Sequence, residues 1–225
     1  MIKHVFFDLD HTLWNFEKNS AMAFDKLLMK HSININLNEF LFHYIPLNLK
    51  YWELYRHEKV TQETLRYGRL KDTFDLLNYK IDDETIDLLS KEYIHYLPQF
   101  NHLFEGAIEV LDYLKPNYKL HIITNGFQEV QVRKMKNSGI DVYFQTITNS
   151  EMAGVKKPNP KIFEFALSAA NAQKENSIMI GDCIDADVNG AINFGIDAIH
   201  FNEHSIEIPS HIKQVNYLLE LKKYL

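Results

Sequence analysis

Lys3-His4-Val5-Phe6-Phe7-Asp8-Leu9-Asp10-His11-Thr12-Leu13 decides how the rest of the chain is read. An apolar run, Val5 to Phe7, stops at two aspartates two positions apart. A short unbroken run of this kind reads as a strand buried on both faces, as in a parallel sheet. Aspartate disfavours a strand interior, so Asp8 and Asp10 are expected where the strand opens into a loop. In open α/β sheets, ligands bind at that carboxyl edge. A lone pair of aspartates can equally begin a turn, so the reading depends on what else reaches the same edge.

Downstream of Leu13 the pattern changes twice. From about Trp14 to about Phe100 the apolar residues recur at helical spacing: Phe24, Leu27, Leu28 and His31, then Leu70, Phe74 and Leu77, then Ile86, Leu89, Tyr93 and Leu97. Thr61-Gln62-Glu63 suits one helix start, and Asp83 is expected to cap another. From about Leu103, strands and helices alternate. A helix marked by Ile108, Leu111 and Leu114 stops at Pro116, and a strand Leu120–Ile123 runs into Thr124-Asn125-Gly126. A helix closed by Gly139 follows, then a strand Phe144–Thr148 and a helix capped by Asn159-Pro160. A strand Ser177–Ile180 enters Gly181-Asp182, and a helix through Val188, Ala191 and Ile192 ends at Gly195. Asp197–Phe201 makes a fifth strand, and Val215, Leu218, Leu219 and Leu225 form a closing helix. The expected fold is therefore α/β: a Rossmann-like parallel sheet with helices on both faces and an inserted all-helical domain. Residues 1–14 with 101–225 form the discontinuous core, and 15–100 the insertion.

At 225 residues, 46% of them hydrophobic, the chain has ample material for such a core. The net charge of −6, with no basic stripe, argues against nucleic acid as a partner. No apolar stretch is long enough for a membrane span, and no signal-peptide pattern opens the chain, so a cytoplasmic protein is expected. The single cysteine, Cys183, rules out an internal disulfide.

Several strand ends carry chemically useful residues. The first strand delivers Asp8 and Asp10; the second delivers Thr124, followed by the backbone amides of Asn125 and Gly126 at a helix start. A loop brings Lys157 just before a helix, and the fourth strand delivers Asp182, then Asp185 and Asp187. In a parallel sheet all of these lie on one edge. Carboxylates gathered there repel one another unless a divalent cation sits among them, and an all-oxygen set suits Mg²⁺. A cation, a lysine, a hydroxyl and amides around a nucleophilic carboxylate amount to a phosphoryl-transfer site.

Together, Asp8-Leu9-Asp10-His11-Thr12, Thr124-Asn125-Gly126, Lys157-Pro158-Asn159-Pro160 and Gly181-Asp182 through Asp187 resemble the four motifs of the haloacid dehalogenase superfamily. The resemblance spans essentially the whole chain, including a helical cap after the first motif. It implies that Asp8 is a nucleophile forming an aspartyl-phosphate. Asp10 then protonates the leaving group, activates water and offers its backbone carbonyl to Mg²⁺. By the same resemblance Thr124 contacts the phosphoryl group, Lys157 neutralises it, Asp8, Asp10 and Asp182 hold Mg²⁺, and Asp187 supports from outside. Thr12 has two open readings, a turn-stabilising hydroxyl or a phosphate contact. Asp185 is expected to cap the helix that follows, Cys183 to fill space, and Lys156 to be solvated. The eleven histidines show no metal-ligand spacing.

Dehalogenases of the superfamily lack the second aspartate of the first motif, so Asp10 favours a phosphatase. A non-catalytic binding module would be expected to carry a damaged motif. A phosphomutase, or a sugar-phosphate or phosphoglycolate phosphatase, shares the core site. Thr124–Gln128, Arg133–Gly139 and Gly154–Pro160 resemble the pyrimidine 5′-nucleotidase branch, which implies a nucleoside 5′-monophosphate substrate. The Trp14-Asn15-Phe16, Phe127-Gln128 and Tyr51–Arg56 stretches are candidates for substrate choice, or for ordinary core. The expected partner is a small phosphorylated metabolite, bound by a monomer or homodimer.

Overall fold

Val5, Phe6 and Phe7 are fully buried in β1 (His4–Phe7), the strand on which the sheet is centred. The computed structural model describes residues 1–225. The other strands are β2 (Lys119–Thr124), β3 (Phe144–Asn149), β4 (Ser177–Gly181), β5 (Asp197–Phe201) and β6 (Gln214–Val215). They form one sheet in the order β3-β2-β1-β4-β5-β6, and every pair is parallel. Phe7 pairs with Ile122 on one side and Ile180 on the other. Successive strands leave β1 in opposite directions, so the topological switch lies between β1 and β4, where an open α/β sheet binds its ligand.

The chain divides into two compact units, Met1–Phe16 with Asn101–Leu225, and Glu17–Phe100. The second contains α1 (Phe16–Lys30) after its first residue, α2 (Leu37–Arg56), α3 (Gln62–Leu76) and α4 (Asp83–Tyr96). Its core is aromatic: Phe24 stacks on Tyr93 at 4.4 Å between centroids and meets Phe40 at 4.8 Å. From the Tyr51–Arg56 stretch, Tyr51 donates a hydrogen bond to Asp72 across α2 and α3. In the first unit lie α5 (Ala107–Leu114), α6 (Gln128–Ser138), α7 (Ser150–Ala153), α8 (Pro160–Ala170) and α9 (Gly190–Phe194).

Four local expectations are corrected. Asp82, not Asp83, caps α4; its side chain accepts from the Thr85 amide at 2.8 Å, three residues on, as an N-cap must. Asp185 is exposed, and Cys183 takes the cap position, its Sγ accepting from the Ala186 amide. Ile108 and Ile192 point to solvent rather than into the core. The closing helix is instead β6 followed by a 3₁₀ turn, Leu218–Lys223. Val215 is buried because it pairs with Phe201, a contact that two residues of sequence cannot advertise.

Three adjacent strands share a buried polar chain. His4 Nδ1 lies 3.0 Å from His121 Nε2, and His121 Nδ1 lies 2.8 Å from Thr146 Oγ1. Burial, then the charges of His4 and Lys119, push His121 down to about 4. The folded state therefore holds His121 neutral while the unfolded chain protonates near 6.5. Between those values the unfolded state binds more protons, so stability falls as pH drops through the window. The expected loss is on the order of 2 kcal/mol. Urea titrations at pH 7 and 4.5 should show it, with a shallower decline in His121→Asn; equal declines would remove the imidazole from the account.

Candidate active site

The site begins where β1 ends. The Asp8 amide donates to Ile180 O at 2.9 Å, extending the β1–β4 ladder and holding Asp8 beside the end of β4. A tight loop follows: the amides of Leu13 and Trp14 both donate to Leu9 O. His11 sits at φ 61° within it. This turn carries Asp10 and Thr12 back to the sheet edge.

Lys157 is 2% exposed and fully committed. Its Nζ reaches Asp8 Oδ1 at 2.5 Å, Ile123 O at 2.6 Å and Asp187 Oδ1 at 2.7 Å. Two of these contacts are hydrogen bonds, to Asp8 and Ile123 O, and the third is an ion pair with Asp187. Burial alone would push its pKa down, but the charges of Asp187 and Asp8 outweigh burial and raise it. Asn125 holds the lysine backbone at both ends, its Oδ1 accepting from Lys157 N at 2.7 Å and its Nδ2 donating to Lys157 O at 2.9 Å. The Asn125 side chain is thus a clamp on the lysine loop.

Asp182 leaves β4 with its carboxylate accepting from Thr12 Oγ1 at 3.1 Å and its carbonyl 2.7 Å from His200 Nε2. A carbonyl only accepts, so the His200 proton sits on Nε2. Thr12 is fully buried, with its hydroxyl spent on Asp182. Asp187 Oδ2 accepts from the Cys183 amide at 3.0 Å. Gly181 makes room for it: a Cβ there would lie 2.3 Å from Asp187 Oδ2.

Oxygens of Asp8, Asp182 and Asp187 lie within 4.8 Å of one another. Burial, then the neighbouring charges, push Asp8 well above the usual carboxylate range despite Lys157. Burial and Asp187 push Asp182 up to about 8. Ionised together, the three carboxylates would carry more negative charge than one lysine offsets, which is why they hold protons so readily without a cation, and three hard oxygens are the donor set a divalent cation takes. The cluster can hold a metal. Asp187 stands in it by side chain; the Asp10 carboxylate does not.

Asp10 faces α6 instead. Its Oδ1 accepts from Lys134 Nζ at 2.6 Å and its Oδ2 from Gln131 Nε2 at 2.8 Å. Gln131 also reaches Thr124 Oγ1, which accepts from the Gly126 amide as well. The Gly126 amide, expected to face an anion, is thus spent on Thr124. Gln131, Lys134 and His200 are site residues that motif reading missed. A signal existed for two of them: Phe127, Val130, Gln131, Lys134 and Met135 form one helical stripe, with two polar side chains among apolar ones.

The family model for haloacid dehalogenase-like hydrolases matches residues 2–195. Pyrimidine 5′-nucleotidase YjjG of Escherichia coli (strain K12) is 31% identical over 98% of this chain and 96% of its own. Pyrimidine 5′-nucleotidase PynA of Streptococcus pneumoniae (strain ATCC BAA-255 / R6) is also 31% identical, over 91% of this chain and 86% of its own. A solved structure of YfnB from Bacillus subtilis, bound to magnesium, superposes with a TM-score of 0.90 at 26% identity, covering 100% of this chain and 98% of that one. No helix of this chain is long and apolar enough to cross a membrane.

Proposed function

Because this chain belongs to the haloacid dehalogenase-like hydrolase family and is a phosphoric monoester hydrolase, we propose that it is a Mg²⁺-dependent pyrimidine nucleoside 5′-monophosphatase working through a phosphorylated Asp8. The observation that carries the reading is Lys157, whose ammonium ties together Asp8 and Asp187, two of the three clustered carboxylates. One nucleophilic oxygen is oriented, and positive charge is fixed where phosphoryl charge develops.

In the first half-reaction a carboxylate oxygen of Asp8 bonds to phosphorus, the ester P–O bond breaks, and the departing oxygen takes the proton of the Asp10 carboxyl. In the second, the Asp10 carboxylate takes a proton from water. The water oxygen bonds to phosphorus, the P–O bond to Asp8 breaks, and phosphate leaves with Asp8 restored. Thr124 and the Asn125 amide hold phosphoryl oxygens, and Lys157 neutralises them. Mg²⁺, held by Asp8, Asp182 and the Asp10 carbonyl with Asp187 alongside, would supply further charge neutralisation at those oxygens. Residues 15–100 are the cap that chooses among phosphate esters.

Relatives named as pyrimidine 5′-nucleotidases support the substrate class. The test is a phosphate-release screen over pyrimidine and purine nucleotides, sugar phosphates and phosphoglycolate, with and without EDTA. Uridine or thymidine monophosphate should lead in kcat/KM by about tenfold or more, within what a pocket achieves between related substrates. EDTA should bring release to baseline, and added Mg²⁺ should restore it. A preference for sugar phosphates or phosphoglycolate would remove the nucleotidase reading, and activity surviving chelation would remove the metal.

A further inference from the structure

We propose that Lys134 and Gln131 are positioning residues that fix the carboxyl of Asp10 for both of its proton transfers. The inference rests on the phosphatase reading above and adds to it the part that makes the acid–base residue work. Each oxygen of Asp10 has its own donor from α6, Lys134 on Oδ1 and Gln131 on Oδ2. Two donors on two oxygens fix both side-chain torsions, which one donor cannot do.

The donors are themselves held. Lys134 is 2% exposed, its ammonium 4.2 Å from the Trp14 ring centroid and 5.3 Å from that of Phe16. Trp14 and Phe16 follow directly on the loop that carries Asp10, so loop, rings and lysine pack as one piece. Burying an ammonium costs several kcal/mol unless it is paired, and the carboxylate it meets is the partly exposed Asp10. Gln131 is 1% exposed and bridges Asp10 to Thr124, linking the acid–base residue to a phosphoryl contact. Gly126 explains its route: a Cβ there would lie 2.2 Å from Gln131 Nε2. Two residues are thus shaped around this contact, a glycine that clears the path and a lysine buried to reach it.

A positioning role differs from simple bracing in which chemical step it touches. Phosphorylation by p-nitrophenyl phosphate needs no acid, because p-nitrophenolate leaves without a proton; an alkyl ester such as a nucleotide needs one. Dephosphorylation of Asp8 needs the base whatever the first substrate was. Lys134→Met should therefore lower kcat/KM for uridine monophosphate by about 10²-fold, the cost of misplacing a catalytic group, and leave kcat/KM for p-nitrophenyl phosphate nearly unchanged. Its kcat should fall for both esters, and phosphorylated protein should accumulate at steady state, read by intact mass after an acid quench. Lys134→Arg should restore the parent pattern. Gln131→Met, which keeps the ion pair, should show the same split at smaller amplitude, and it carries the test if Lys134→Met does not fold. Equal losses on both esters with no phosphorylated protein would overturn the positioning role while leaving the phosphatase reading intact. A parent that hydrolyses neither ester would overturn both.

Discussion

Asp8→Asn is expected to abolish phosphate release, by at least about 10⁴-fold, as loss of a covalent nucleophile does elsewhere. The amide is nearly isosteric with the carboxylate. Its carbonyl oxygen can still accept from Lys157 Nζ, now 2.5 Å from Asp8 Oδ1, so the fold loses little geometry. It also replaces the one of three crowded carboxyls that burial makes hardest to ionise by a group that is never charged. The metal-free variant should therefore melt no lower than the parent while losing its chemistry. Stopped assays, a thermal melt and an acid-quenched mass measurement check the three parts: no phosphate, an unlowered midpoint and no phosphorylated protein. Activity within tenfold of the parent would mean that some other group attacks phosphorus, and the covalent mechanism would fall.

How much of this could be read in advance depended on the range of the interaction. β1, β2 and β4 announced themselves because each is a mainly apolar, buried run, and they bring Asp8, Thr124 and Asp182 to one edge. β6 stayed hidden because two residues carry no period, and its burial comes from pairing with β5. Helix starts slipped by a residue or two at Asp82 and Cys183, where neighbouring side chains compete for the same amides. At the site, residue types predicted company but not its order. The hydroxyl of Thr12, open in sequence to a turn or a phosphate contact, donates to Asp182. Asp187, read as outer support, shares Lys157 with Asp8. Lys134 and Gln131 escaped because their meaning arises only when α6 docks against the loop after β1, a contact more than a hundred residues apart in sequence.

Lys157→Met should be the most damaging single change to stability as well as to rate. The lysine joins Asp8 to Asp187 in a space where Asp187 is 1% exposed, so removing it leaves two carboxylates facing each other without a cation. Breaking a buried pair from one side costs about 3–5 kcal/mol. Since charges on Asp187 and Asp8 raise the lysine's pKa against the pull of burial, its stabilisation is complete at neutral pH and is lost only as pH rises through that raised value. The loss in the variant has the opposite dependence. It is largest where Asp8 is ionised and shrinks as the pH falls and Asp8, already pushed up by burial, takes up its proton. Mg²⁺ should likewise narrow the gap, because a cation that binds the folded state stabilises it by mass action, and the variant's cluster is the more negative. The expected result is a metal-free melting point well below the parent's at pH 7.5, a smaller gap at pH 5.5, and a larger rise on adding Mg²⁺ in the variant than in the parent. Phosphate release should fall by about 10³-fold even with saturating Mg²⁺, as for loss of a fixed charge at the transition state. A metal-free variant as stable as the parent at pH 7.5 would show that the lysine does not hold the carboxylates together, and the electrostatic account of the site would have to be rebuilt.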